Sequence, residues 1–191
     1  DGSGDMSVVR ATTATRVNSS GLVELVPYNL LQYSEQFDNA VWFNAGGSVT
    51  ANTTIAPDGT LTADTLTGAR FQTGFASNQY TVSCFAKKVD GDNLFQLRLD
   101  VPSTVIAVFN LNIGTVVSVP GGYSATITDV ENGWYLCSIT TPPSTAISNF
   151  VIISASSAVS STFVWGAQLV EGSNAKDYQK TETRLNIPRL D

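Results

Sequence analysis

Apolar and polar positions alternate along much of this chain with a period of two. Phe95, Leu97 and Leu99 interleave with Gln96, Arg98 and Asp100, the signature of a strand with one buried and one polar face. A run over residues 80–88 stops at Asp90-Gly91-Asp92-Asn93, and a run over 105–111 closes at Asn112 and Gly114. Runs over 123–130 and 134–141 flank Glu131-Asn132-Gly133, where Asn-Gly predicts a tight hairpin turn. Runs over 150–155 and 163–170 supply the last core strands, and only 34–42 reads as a short helical turn. Short strands at this regular spacing predict an all-β chain folded as an antiparallel β-sandwich.

The ends differ from the middle. Asp1-Gly2-Ser3-Gly4-Asp5 is a flexible acidic opening, followed by a β-branched stretch, a turn at Asn18-Ser19-Ser20-Gly21 and a second apolar stretch to Pro27. Residues 1–28 read as an extended N-terminal arm or short hairpin, too small to hold a core. Residues 29–178 form the main domain. Residues 179–191 lack core periodicity and read as an extended tail or a linker to a further domain.

Composition narrows the chemistry. The 191 residues are 42% apolar and 14% charged, enough for one good core under a weakly charged, Thr- and Ser-rich surface. No apolar run approaches the roughly 20 residues that span a bilayer, so membrane insertion is not expected. A net charge of −6 with scattered basic residues disfavours nucleic acid. The chain has no histidine, which removes the usual general base, the Ser-His-Asp triad and the imidazole metal ligand together. Two cysteines cannot close a four-ligand zinc site. A glycosidase working through paired carboxylates is the main enzyme class left, and no motif fixes such a pair. Cys84 and Cys137 sit in apolar runs, either as a disulfide or, the favoured reading, as two buried thiols.

Four segments carry a resemblance. They are Asn29-Leu30-Leu31-Gln32-Tyr33-Ser34-Glu35-Gln36-Phe37 running on to Trp42, Ala56-Pro57-Asp58-Gly59-Thr60-Leu61-Thr62-Ala63-Asp64 preceded by Thr50-Ala51-Asn52, Asn132-Gly133-Trp134-Tyr135-Leu136-Cys137-Ser138, and Trp165-Gly166-Ala167-Gln168-Leu169-Val170-Glu171-Gly172-Ser173. In this order, over roughly residues 29–178, they resemble a jelly-roll module, similar to carbohydrate-binding modules, that recurs in bacteriophage tail, fibre and capsid-appendage proteins. The resemblance implies a non-catalytic virion protein assembled in reducing host cytoplasm. Its implied partners are other virion proteins and a host-surface glycan, and its implied state is a homo-oligomer, a trimer as in phage fibres. Residues 8–26 are expected in the subunit contacts, because an unpaired β-branched arm needs cover. The alternative is a purely structural domain that decorates a capsid or joins fibre segments.

Candidate site residues follow from sugar chemistry. Gln96, Arg98 and Asp100 stand about 7 Å apart on one strand face. An amide, a guanidinium and a carboxylate in a row suit sugar hydroxyls, and an ordinary solvated face is the alternative. Tyr33, Trp42, Phe43 and Tyr123 lie near loops or strand ends and are candidates for a stacking platform, whereas Trp134 and Trp165 read as core. Related sugar-binding jelly rolls often carry a structural calcium, which makes Glu35, Asp58 and Asp64 candidate ligands. No dense Asp-x-Asp-x-Asp loop accompanies them, and Asp58 as a turn former with Asp64 as a strand-end cap is the alternative.

Overall fold

The period-two pattern is realised strand by strand in the computed structural model, which describes residues 15–17, 21, 23–25, 28–89, 93–101, 103–143, 145–146, 149–154 and 160–182. In chain order the strands are β1 (Thr15–Val17), β2 (Val23–Leu25), β3 (Phe43–Asn44), β4 (Val49–Thr54), β5 (Ala63–Thr67), β6 (Ala69–Thr73), β7 (Ser77–Asn78) and β8 (Tyr80–Lys88). They continue as β9 (Leu94–Val101), β10 (Ser103–Asn110), β11 (Thr115–Ser118), β12 (Ser124–Asp129), β13 (Trp134–Thr140), β14 (Thr145–Ala146), β15 (Asn149–Ser154) and β16 (Ser161–Glu171). The first large sheet runs β11-β10-β9-β15-β6-β3 and the second β12-β13-β8-β16-β5-β4. Every ladder is antiparallel, and no described residue is helical.

The two sheets face each other as a β-sandwich. Phe95, Leu97 and Leu99 of β9 are fully buried and share one apolar cluster with Val82, Cys84 and Ala86 of β8 in the opposite sheet. Each such Leu or Phe contributes about 1.5–3 kcal/mol by leaving water. The expected helical turn at 34–42 is instead three separate turns. Gln36 N donates to Tyr33 O, Asn39 N to Gln36 O and Trp42 N to Asn39 O, each spanning three residues. The Asn-Gly hairpin is present between β12 and β13, where Trp134 N donates to Glu131 O (2.9 Å). Asn132 (φ 52°) and Gly133 (φ 78°) are both left-handed, the geometry of a type I′ turn. Strands β3 to β6 and β11 had no clear alternation in sequence. Backbone crowding helps to place β5 and β6, because a Cβ on Gly47 or Gly68 would strike the backbone of Thr67 or Gly46.

Beyond β16 the chain stays bound to the sandwich through Glu182. Asn29, fully buried, ties three segments together. Its Nδ2 donates to Ala167 O (2.9 Å) and Gln179 O (3.1 Å), and its Oδ1 accepts from Leu31 N and Leu169 N (3.0 Å each). Gln168 Nε2 donates to Lys176 O (3.0 Å), and Thr181 N to Ser34 Oγ (2.9 Å). At the other end, β1 and β2 pair as a short antiparallel hairpin. Most of the 8–26 segment expected in subunit contacts lies outside the described residues, as does the tail from 183 onward.

Cys84 and Cys137 stand directly opposite one another on β8 and β13, as buried free thiols. Burial pushes both thiols well above their ordinary value. A thiol-specific chromogenic reagent should therefore label neither cysteine in the native protein and both in guanidinium; rapid native labelling, or a disulfide in the intact mass, would contradict this arrangement. Asn29→Ala should lower the unfolding free energy by roughly 3 kcal/mol in urea titrations, because several buried backbone groups lose their partner at once.

Candidate functional site

The two outer faces of the sandwich are not alike. On the second sheet, Trp165 packs on Tyr178 (ring centroids 4.5 Å) and on Phe85 (5.3 Å). Trp134 and Trp165 are only 2% and 4% exposed. Segment 172–182 lies along this face, with Thr81 Oγ1 donating to Gly172 O (2.9 Å) and Gln179 N to Gln168 Oε1 (2.8 Å). Trp134 and Trp165 are thus packing residues, as their apolar flanks predicted.

On the first sheet, β9 turns Gln96, Arg98 and Asp100 outward while its apolar positions face the core. Arg98 and Asp100 form a two-point ion pair, Nε to Oδ1 at 2.8 Å and Nη2 to Oδ2 at 3.0 Å, and Thr104 Oγ1 donates to the same Oδ1 (3.0 Å). The two side chains remain 35% and 23% exposed. Such a pair adds at most about 1 kcal/mol to stability, but it lays the guanidinium along the strand.

Phe71 on β6 is separated from β9 by β15 alone, two strand spacings or about 10 Å from Arg98. Phe71 pairs across the ladder with Phe43 of edge strand β3. Their ring centroids lie 5.3 Å apart at 30°, and Phe43 is 53% exposed. Beside Phe43 opens a cleft of about 320 Å³ whose apolar walls are Leu30, Val41, Phe43 and Phe75. Gln32 and Gln72 bring amides to it. Gln72 Oε1 accepts from Gln32 N (3.1 Å) and its Nε2 donates to Gln32 O (2.7 Å), so the two segments are fixed to one another.

Of the four ring residues expected to form a platform, Trp42 is buried instead. It is 4% exposed, its ring packs on Phe37 (5.0 Å), and Nε1 donates to Tyr33 O (2.9 Å). A large indole next to the core gains more from burial than from solvent contact. Tyr33 and Tyr123 are half-buried and packed against the core cluster. The exposed ring is Phe43, which packs on the half-buried Phe71. Phe71 and Phe75 did not stand out in sequence, although Phe71-Gln72-Thr73-Gly74-Phe75 does alternate rings and polar groups up to a glycine turn.

The three candidate calcium ligands each have local partners. Glu35 Oε2 meets Lys180 Nζ (2.8 Å), and its Oε1 accepts from Tyr178 OH (3.0 Å). Asp58 Oδ1 accepts from Thr60 N (2.9 Å) and Thr60 Oγ1 (2.7 Å), capping its own turn. Asp64 accepts from Phe37 N and Asn52 N, both at 2.9 Å. Among the described residues, no three Asp, Glu, Cys or His side chains gather as a metal site would require. Each carboxylate is already spent on a local partner.

The sequence matches no protein-family model and no curated protein.

Asp64 supplies a pH test. It is 1% exposed, and burial raises its pKa from 3.8 to about 6 despite the two amide donors. The folded protein then holds this proton where the unfolded chain has released it. The group's stabilisation is full below pH 3.8 and is lost as pH rises to about 6, a loss on the order of 3 kcal/mol. Asp64→Asn does not titrate, so its cost in urea titrations should be larger at pH 4 than at pH 7.5. An equal cost at both would mean that Asp64 keeps an ordinary pKa.

Proposed function

We propose that this domain is a jelly-roll module of a phage virion, in a fibre, tail or capsid appendage, that binds host-surface carbohydrate without catalysis. Strand order supports the jelly roll. The eight central strands β5, β6, β8, β9, β10, β13, β15 and β16 divide into the rows β5-β16-β8-β13 and β6-β15-β9-β10, the wiring of two Greek keys in double-sheet jelly rolls. Strands β3, β4, β11 and β12 extend the four edges.

The observation that carries the binding reading is the first sheet's outer face, where the exposed Phe43 ring, packed on the half-buried Phe71, shares a face with a row of amide, guanidinium and carboxylate two strands from Phe71. Sugars bind by laying apolar ring faces on aromatics while planar polar groups take their hydroxyls. The absence of histidine from the whole chain agrees with adsorption in place of chemistry. Each contact is weak, and copies arrayed on a trimeric fibre strengthen it through effective concentration.

A second reading, docking only to other virion proteins, is favoured by the exposed Ile113 (64%) and Val117 (54%) around the β10–β11 turn. A glycan array probed with the intact oligomer separates the two. We expect binding to host polysaccharide that falls at least tenfold in Arg98→Ala, whose stability should change by less than about 1 kcal/mol. Silence across host polysaccharides would favour the protein-docking reading.

A further inference from the structure

The cleft beside β3 has a chemistry distinct from the open sheet face, and it narrows the kind of sugar that would enter. Resting on the carbohydrate-binding reading above, we infer that it is the specificity pocket for an uncharged, N-acetylated hexosamine. Four of its residues are apolar, Leu30, Val41, Phe43 and Phe75, and among the described residues no charged one lines it. A phosphate, sulfate or carboxylate-bearing sugar would leave its charge unpaired there. Arg98, the cation on the neighbouring face, is already paired with Asp100.

A plain hexose would set hydroxyls against the Leu30, Val41, Phe43 and Phe75 part of the wall as well as against its polar part. An acetamido group fits better. Its methyl takes the apolar wall, and its N–H and C=O are an amide's donor and acceptor. The protein groups facing it are also amides. Gln32 is exposed and lines the cleft. Gln72 spends one N–H and one lone pair on the Gln32 backbone, which leaves a second donor and a second acceptor. Because those two bonds also fix its orientation, little ordering is required when the ligand arrives. A volume of about 320 Å³ is at the small end for ligand pockets, the size for one sugar residue with the remaining glycan passing Phe43 and Phe71.

The test is an NMR titration of the isotopically labelled full chain with N-acetylglucosamine, N-acetylgalactosamine, glucose and galactose, alongside the glycan array. We expect the acetylated sugars to bind at least about fivefold more tightly than their parents, from the buried methyl and one amide hydrogen bond. The side-chain amide signals of Gln32 and Gln72 should move, and Phe43→Ala and Gln32→Ala should each lose at least tenfold affinity while keeping the amide spectrum of the folded protein. If glycans bind with no preference for the acetamido group, or bind unchanged in Phe43→Ala and Gln32→Ala while Arg98→Ala abolishes binding, the pocket assignment is overturned and the sheet-face reading stands. If neither free sugars nor the array shows any binding, both fall.

Discussion

One buried side-chain amide, that of Asn29, holds the arrangement on which the rest depends. It uses both donors and both lone-pair directions to join the entry of the domain, the bulged last strand and the returning tail. Full burial makes the geometry obligatory, since any lost partner leaves a polar group in a dry environment. The clamp starts segment 30–42 over one end of the sandwich and draws 176–182 along the second sheet. Ser34, Tyr178 and Glu35 repeat the connection with a chain of hydrogen bonds that ends on Lys180.

This closure makes the molecule two-sided. The second sheet's outer face is partly covered by the chain itself: Tyr178 of the returning segment packs on Trp165, and Trp134 is held by its bond to Ile55 O. The first sheet's outer face carries Phe43, Phe71 and the Arg98–Asp100 pair with solvent access. Segment 30–32 contributes to both sides of the story, since the same stretch that follows the clamp forms one wall of the cleft and receives both bonds of the Gln72 amide. Core closure and site geometry are thereby coupled, and the cleft is built before any ligand arrives.

Carboxylates that looked free in sequence are each committed, Glu35 to Lys180, Asp58 to its own turn and Asp64 to two backbone amides. Accessible among the described residues of the open face are the Phe43 ring, the Gln96 amide and the Arg98–Asp100 ion pair. Under the proposed reading these groups would hold a sugar by stacking and hydrogen bonding, with no change of protonation state.

The sequence by itself determined the all-β class, the strands at 80–88, 94–101 and 134–140, the Asn132-Gly133 turn and the burial of Trp134, Trp165 and both cysteines. Those features are local: a period-two alternation dictates which side faces a core, and left-handed φ selects Asn and Gly. Short edge strands such as β3 and β4 were invisible because they bury little and so carry little alternation. Only the tertiary structure decided which rings are exposed. Trp42 and Phe43 are neighbours, yet one enters the core and the other stays in solvent, because alternation gives opposite directions without saying which is inward. It also decided that Gln72 and Phe75 meet Leu30 and Gln32 some forty positions away, and that the three candidate calcium ligands do not gather. Such meetings depend on the register and order of strands distant in the chain, which no local pattern encodes.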